Sequence, residues 1–160
     1  MELIESKSFI IRNYRKGDLS SLNKLMLLET SSLDDRNEFL DNVSINFNAD
    51  LNSEGEKMFA ITNDNKLVGR LSVNLESPNI FISFKLYETF DSRIFYQELV
   101  FVVVSYLHKL YSHRQIITYS SKFDLLRRSI LENFGFKVNR IDKNSNMYEY
   151  TIFVANPNKD

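Results

Sequence analysis

Bond-making chemistry in this chain would fall to carboxylates, phenols, guanidinium groups and two imidazoles, because there is no cysteine. Without a thiol there is no disulfide framework, no thiolate zinc site and no cysteine nucleophile. His108 and His113 lack the i,i+4 spacing and the accompanying acid of a helical zinc site. They read as surface or helix-end residues, where an imidazolium complements the helix dipole, and no metal is expected. No serine sits in a G-x-S-x-G context, which argues against a serine hydrolase. With 4 Gly and 2 Pro, neither the dinucleotide fingerprint nor a phosphate-binding P-loop is present in full. What remains is proton transfer by Glu and Tyr, and one compact basic cluster, Lys122 with Arg127 and Arg128. That cluster reads either as an anion contact or as the solvated face of an amphipathic helix.

Such groups need a scaffold. The chain has 160 residues, which suits one domain, taken as residues 1–155 with a frayed tail over 156–160. Hydrophobic residues at 43% and charged residues at 26% supply one well-buried core. Lys and Arg number 20 against 21 Asp and Glu, so the global attraction that drives non-specific nucleic-acid or anionic-membrane binding is absent. Neither nucleic acid nor membrane is an expected partner. No apolar run reaches the ~18–20 residues of a membrane span, and residues 1–6 have neither the basic nor the apolar region of a signal peptide. A cytoplasmic location is the resulting expectation.

Phe9-Ile10-Ile11-Arg12-Asn13 predicts a strand, and Asp18 after Gly17 predicts the N-cap of a helix carrying Leu19, Leu22, Leu25 and Met26. Ser32-Leu33-Asp34-Asp35 is a capping box for a second helix with Leu33, Leu40, Val43 and Phe47. Lys57 to Asn63, Lys66 to Leu75 and Asn79 to Leu86 predict an antiparallel meander, turned at Asn63-Asp64-Asn65 and Ser77-Pro78. Ser92 to Ser112 is long and apolar; its length favours a buried helix over a strand despite Val102, Val103 and Val104. Gln115 to Ser120 predicts a strand parallel to an earlier one. Phe123, Leu126, Ile130, Leu131 and Phe134 mark a helix stopped by Gly135, before a final hairpin of Phe136 to Ile141 and Met147 to Val154. The predicted order is β-α-α-β-β-β-α-β-α-β-β, an α+β fold with a mixed, mostly antiparallel sheet flanked by helices.

This order, together with Phe9-Ile10-Ile11-Arg12 followed by Gly17-Asp18, and with Leu131-Glu132-Asn133-Phe134-Gly135-Phe136-Lys137, resembles the GNAT acyltransferase superfamily. The last segment is similar to that family's late L-E-x-x-G-F-K motif, and the resemblance covers nearly the whole chain. It implies an N-acetyltransferase that uses acetyl-CoA as co-substrate and a primary amine of a small molecule or peptide as acceptor. Gln97-Glu98-Leu99 followed by Tyr106 most resembles the branch that acetylates protein N-termini and related amines.

The resemblance also implies roles. An oxyanion donor is expected near Phe84, Lys85 and Leu86, a general base at Glu76 or Glu88, and a general acid at Tyr119, with Tyr87 and Tyr96 as other phenols. Cofactor contacts are expected from Ser92, Arg93, Tyr96 and Gln97, from Asp124 where the family often has Asn, and from Arg128 in the basic cluster. The chain departs from the family at the pyrophosphate loop, where Asp91 stands for Arg and Ile94 and Tyr96 stand for glycines, placing Cβ atoms in the phosphate approach. It departs again at Leu131, where the family often has a proton-donating Tyr. The alternative function is therefore a GNAT-fold binding or regulatory protein that has lost acetyl-CoA use. The acceptor is expected to be chosen by Ser31 to Glu56. Monomer and homodimer both stay open, since an exposed strand of the last hairpin could pair across a two-fold axis or be capped by the charges of Lys143 and Glu149.

Overall fold

The computed structural model describes residues 2–29, 33–53, 55–76, 78–87 and 92–153. Ser32, Ser77, Glu88, Asp91 and the tail over 156–160, all used above, lie outside the described residues. In chain order the elements are β1 (Glu2–Glu5), β2 (Ile10–Asn13), α1 (Asp18–Glu29), α2 (Leu33–Ile45), β3 (Gly55–Asn63), β4 (Lys66–Glu76), β5 (Asn79–Leu86), α3 (Arg93–Leu110), β6 (Gln115–Ser121), α4 (Leu125–Phe134), β7 (Lys137–Asp142) and β8 (Met147–Ile152). The strands form one 8-stranded sheet in the order β1-β2-β3-β4-β5-β6-β8-β7. Among the described residues only the β5–β6 pair is parallel, as the crossover through α3 requires. The expected mixed, mostly antiparallel fold is what is found.

Some features differ from the sequence reading, and Phe47, expected in the second helix, lies in a 3-10 turn (Asn46–Asn48) beyond α2. Strand β1 was not foreseen, because four residues with a glutamate at each end carry too little alternation to signal a strand. Phe123 lies outside α4 and is 73% exposed, because Asp124 caps the helix and its first residue is Leu125. The meander does turn where expected, with Asp64 and Asn65 at φ 50 and 62, the left-handed pair that a two-residue hairpin demands.

Alternation along the strands sorts the core onto two faces. Phe59, Ile61, Leu71, Val73, Ile80 and Ile82 face the main core, which is closed by Leu99, Val103, Val104 and Leu107 of α3 and by Ile130 and Leu131 of α4. The valines of the long apolar segment are therefore helical, at i, i+3 and i+4 spacing, and length outweighed β-branching. Met58 and Ala60 face the other way, into a smaller cluster with Leu22 of α1, Val43 of α2, Tyr14 and Tyr87. Past these, Ser72, Asn74 and Glu76 of β4 continue the second face as polar side chains.

Candidate functional site

Parallel strands β5 and β6 pair at Asn79 with Gln115, Ile80 with Ile116 and Phe81 with Ile117, and then separate. Each stays paired on its outer side, β5 with β4 as far as Leu86 and Gly69, and β6 with β8 as far as Ser121 and Met147. Beyond Phe81 the β6-side edge of β5 pairs with no strand among the described residues, and the sheet opens into a V-shaped notch. Phe84 and Leu86 turn their side chains into the main core, and Lys85 projects from the opposite face. Gly69 makes the end of β5 possible: a Cβ there would sit 2.6 Å from the Lys85 carbonyl oxygen and 2.9 Å from Leu86 Cδ2. Sequence reasoning missed this residue, although a glycine inside a strand pattern, Val68-Gly69-Arg70, is the usual sign of close backbone approach.

Helix α3 forms one wall. Ser92 is its N-cap, its Oγ accepting from the Phe95 N–H at 3.2 Å, and no acidic residue lies in its first turn. The helix phase sets the two residues at the glycine positions apart. Ile94 is 80% exposed and turned to solvent, while Tyr96 is buried and meets Phe84 edge-on with ring centroids 5.9 Å apart. Arg93 and Gln97 are exposed on the same end of the helix.

Helix α4 forms the other wall. Asp124 caps it, Oδ1 accepting from the Arg127 N–H at 3.0 Å, and its Oδ2 lies 3.4 Å from Arg127 Nε. Arg127 reaches over the notch, donating from Nη1 to the Phe84 carbonyl oxygen at 3.3 Å and lying 4.9 Å from the centre of the Tyr96 ring. Arg128 points away to the last hairpin, donating to Tyr150 Oη at 3.0 Å and to the Lys122 carbonyl at 2.9 Å, over the Tyr148 ring. The cluster read from sequence thus splits into one arginine at the notch and one at the hairpin. Leu131 is buried at 1% exposure, and the segment that carries the family resemblance is a helix stop. Gly135 at φ 124 lets its own N–H reach Glu132 O and the Phe136 N–H reach Leu131 O.

On the polar face, where the strands begin to part, lies a cavity of about 290 Å³ whose walls include Glu56, Ser72, Asn74, Glu76, Ser83 and Tyr119. Ile82, the first residue of β5 beyond the last β6 pair, is also in its wall. The structure therefore brings together Glu76 and Tyr119, the sequence-derived base and acid, and adds Glu56. Glu76 accepts a hydrogen bond from Asn74 Nδ2 at 3.2 Å. Tyr119 donates to Glu149 Oε1 at 3.0 Å. Burial first, then that bond to a carboxylate and the nearby charges of Glu149 and Glu76, raise the Tyr119 pKa, so its hydroxyl holds its proton through the neutral range. Glu149 sits on β8, inside the sheet, and is not an edge cap; β7 is the edge strand. Glu88, the other expected base, lies outside the described residues.

Of the other phenols, Tyr96 lies beneath Arg127, and Tyr87 is buried beside Tyr14 in the smaller cluster. Tyr14 Oη is buried with no partner among the described residues; burial and the neighbouring Tyr87 push its pKa far up. The opening motif resolves into an ion pair, Arg12 Nη1 to Asp18 Oδ2 at 2.7 Å and Nη2 to Oδ1 at 2.9 Å, with both side chains about one-tenth exposed.

No protein-family model matches the chain, and no curated protein matches it in sequence. Solved structures do. An acetyltransferase from Salmonella typhimurium that modifies the N-terminal serine of the 50S ribosomal subunit protein L7/L12 aligns over 97% of this chain and 100% of its own, with TM-score 0.77 and 15% identity. RimL, a ribosomal L7/L12 alpha-N-protein acetyltransferase in complex with coenzyme A, aligns over 96% of this chain and 98% of its own, with TM-score 0.76 and 13% identity. A GNAT-family acetyltransferase from Bacillus anthracis aligns over 96% and 98%, with TM-score 0.74 and 17% identity.

Proposed function

We propose that this chain, whose fold is that of the GNAT acyltransferases, is an N-acetyltransferase that moves an acetyl group from acetyl-CoA to a primary amine of a small molecule or peptide. The observation that carries this reading is the opening of β5 from β6 beside a polar pocket holding Glu76 and Tyr119. A strand edge accepts an extended amide chain by continuing the ladder, and the β5 edge beyond its last β6 pair suits the pantetheine arm. RimL, with the same fold, is a complex with coenzyme A. Ser92, Arg93 and Gln97 are disposed around the α3 N-terminus, whose first turn holds no acid and whose dipole end favours phosphate. Asp124 supports the other wall as a helix cap, and for Arg128 to reach a phosphate it would have to leave Tyr150.

Acetyl-CoA supplies the activated acyl carbon; the rest falls to the chain. Glu56 and Glu76 give the pocket a negative field that draws an ammonium group, and Glu76 takes its proton, directly or through water, to leave a nucleophilic amine. A backbone N–H at Phe84 or Leu86, on the edge where the Phe84 carbonyl also points, faces the charge that develops on the acyl oxygen as the C–N bond forms, the Lys85 N–H being turned to β4. Tyr119, protonated at neutral pH, gives its proton to the sulfur as the C–S bond breaks, and is reprotonated from solvent.

Titration calorimetry with acetyl-CoA, followed by thiol release measured over a panel of diamines and short peptides, tests this. Micromolar binding and acceptor-dependent thiol release, both weakened by Arg93→Ala and the second abolished by Glu76→Gln, are expected. Absence of binding at millimolar acetyl-CoA would remove the reading and leave a GNAT-fold protein without its co-substrate.

A further inference from the structure

The guanidinium of Arg127 lies across the notch in contact with groups from three different elements. Asp124 at the start of α4 holds Nε at 3.4 Å, Tyr96 of α3 lies under it at 4.9 Å, and the Phe84 carbonyl of β5 accepts from Nη1 at 3.3 Å. A planar fork is needed for this, since stacking on a ring while donating sideways is beyond an ammonium. The Phe84 carbonyl lies on the very stretch of β5 that has lost its β6 partner. Arg127 thus partly fills the place of the missing strand.

We propose that Arg127 is a displaceable plug of the acyl-chain groove: the side chain closes the β5 edge in the unliganded protein and must swing out before an acyl-pantetheine arm can pair with that edge. The inference rests on the transferase reading, since it is that reading which places pantetheine in the notch. An incoming amide chain needs the strand's carbonyl and N–H groups, and a guanidinium lying in the same gap excludes it from Phe84. The contacts are of a kind that can be broken. The Nη1 bond is long for a charge-assisted one, the ion pair to Asp124 is surface-exposed, and the Arg127 side chain is 24% exposed, so the guanidinium has solvent to swing into. Only the open form binds, so the apparent affinity is the intrinsic one multiplied by the open fraction. Arg127 is accordingly a positioning residue that limits cofactor affinity, and it contacts no reacting atom.

The test uses S-acetylpantetheine, which has the amide arm and thioester but no phosphate, alongside acetyl-CoA. Calorimetry on the full chain compares wild type with Arg127→Ala and Arg127→Lys. Tighter binding of S-acetylpantetheine by Arg127→Ala, by about fivefold or more, is expected, with Arg127→Lys intermediate because lysine can still donate to Phe84 but cannot stack and fork. The ligand is uncharged, so removal of a positive charge cannot by itself raise its affinity. Equal or weaker binding of S-acetylpantetheine by both variants, with wild type still binding acetyl-CoA, overturns the plug and leaves the transferase reading standing. If neither wild type nor variant binds either ligand, the transferase reading fails and the plug falls with it. Should Arg127→Ala not fold, Arg127→Lys decides alone, since unchanged affinity in that variant also overturns the proposal.

Discussion

Arg12 and Asp18 share two hydrogen bonds with little solvent access, and Asp18 also accepts from the Arg15 N–H at 2.7 Å. Burial alone would raise the Asp18 pKa; the hydrogen bonds from Arg12 and from the Arg15 backbone outweigh it, and the carboxyl titrates below its ordinary range. A depressed carboxyl stabilises the fold above its unfolded pKa of ~3.9, and that contribution is lost as pH falls through the lower folded value. Asp18→Asn removes the carboxylate that faces the buried Arg12, and is expected to lower unfolding stability by about 3 kcal/mol in denaturant titration at pH 7. The gap between mutant and wild type should shrink below about pH 4; a pH-independent gap would mean that shape, and not charge, was lost. Tyr119→Phe addresses the proposed general acid: thiol release should drop roughly 10²-fold with KM for acetyl-CoA nearly unchanged, because the phenol is needed only as the sulfur leaves. That Tyr119 shares a pocket with Glu76 agrees with their order on the chain. Arg127 was not legible in that way, since Arg127 and Arg128 are adjacent and sequence alone does not say which one faces the notch.

Two glycines separate what an element needs to stop from what it needs to bind. Gly135 is at φ 124, and a Cβ there would meet only Ile152 Cδ1 at 3.5 Å, an ordinary contact. Gly135→Ala therefore costs about 1–2 kcal/mol of backbone strain, seen as a lower thermal midpoint, and leaves acetyl-CoA affinity unchanged. Gly69→Ala puts a methyl 2.6 Å from a backbone oxygen, which cannot turn aside as a side chain does. The end of β5 must shift, so the same calorimetry should show affinity for acetyl-CoA reduced about tenfold or more, beyond any fall in midpoint. Unaltered affinity in Gly69→Ala would mean that β5 beyond Phe81 takes no part in binding. Elements were mostly legible because hydrophobic period, capping residues and Asp64-Asn65 agree with one another. Strand β1 was illegible for want of length, and the Leu131 to Lys137 motif, the most telling for fold, is a helix stop that says nothing about chemistry.

At the scale of the whole molecule the notch divides the sheet into β1–β5 and β8, β7 and β6, joined in the ladder by three residue pairs and otherwise by the packing of α3 and α4. The depth of this division was invisible in the sequence, because a strand's pattern fixes its faces but not where its edge loses a partner. A ligand lying in the notch would bridge the two halves, and binding to the native state alone adds RT ln(1 + [L]/Kd) to stability. At acetyl-CoA 100-fold above Kd that is about 2.7 kcal/mol, which for a chain of this size raises the thermal midpoint by about 5–10 °C. Amide exchange should slow most along residues 82–86 and 118–121, where the two strands part, and least in β1 and β2, which only continue the sheet outward. A midpoint that rises while exchange slows only at the α1 and α2 side would move the binding site to the smaller cluster around Tyr14 and Tyr87, whereas protection confined to the parted strands makes the notch the place where the acyl donor is held.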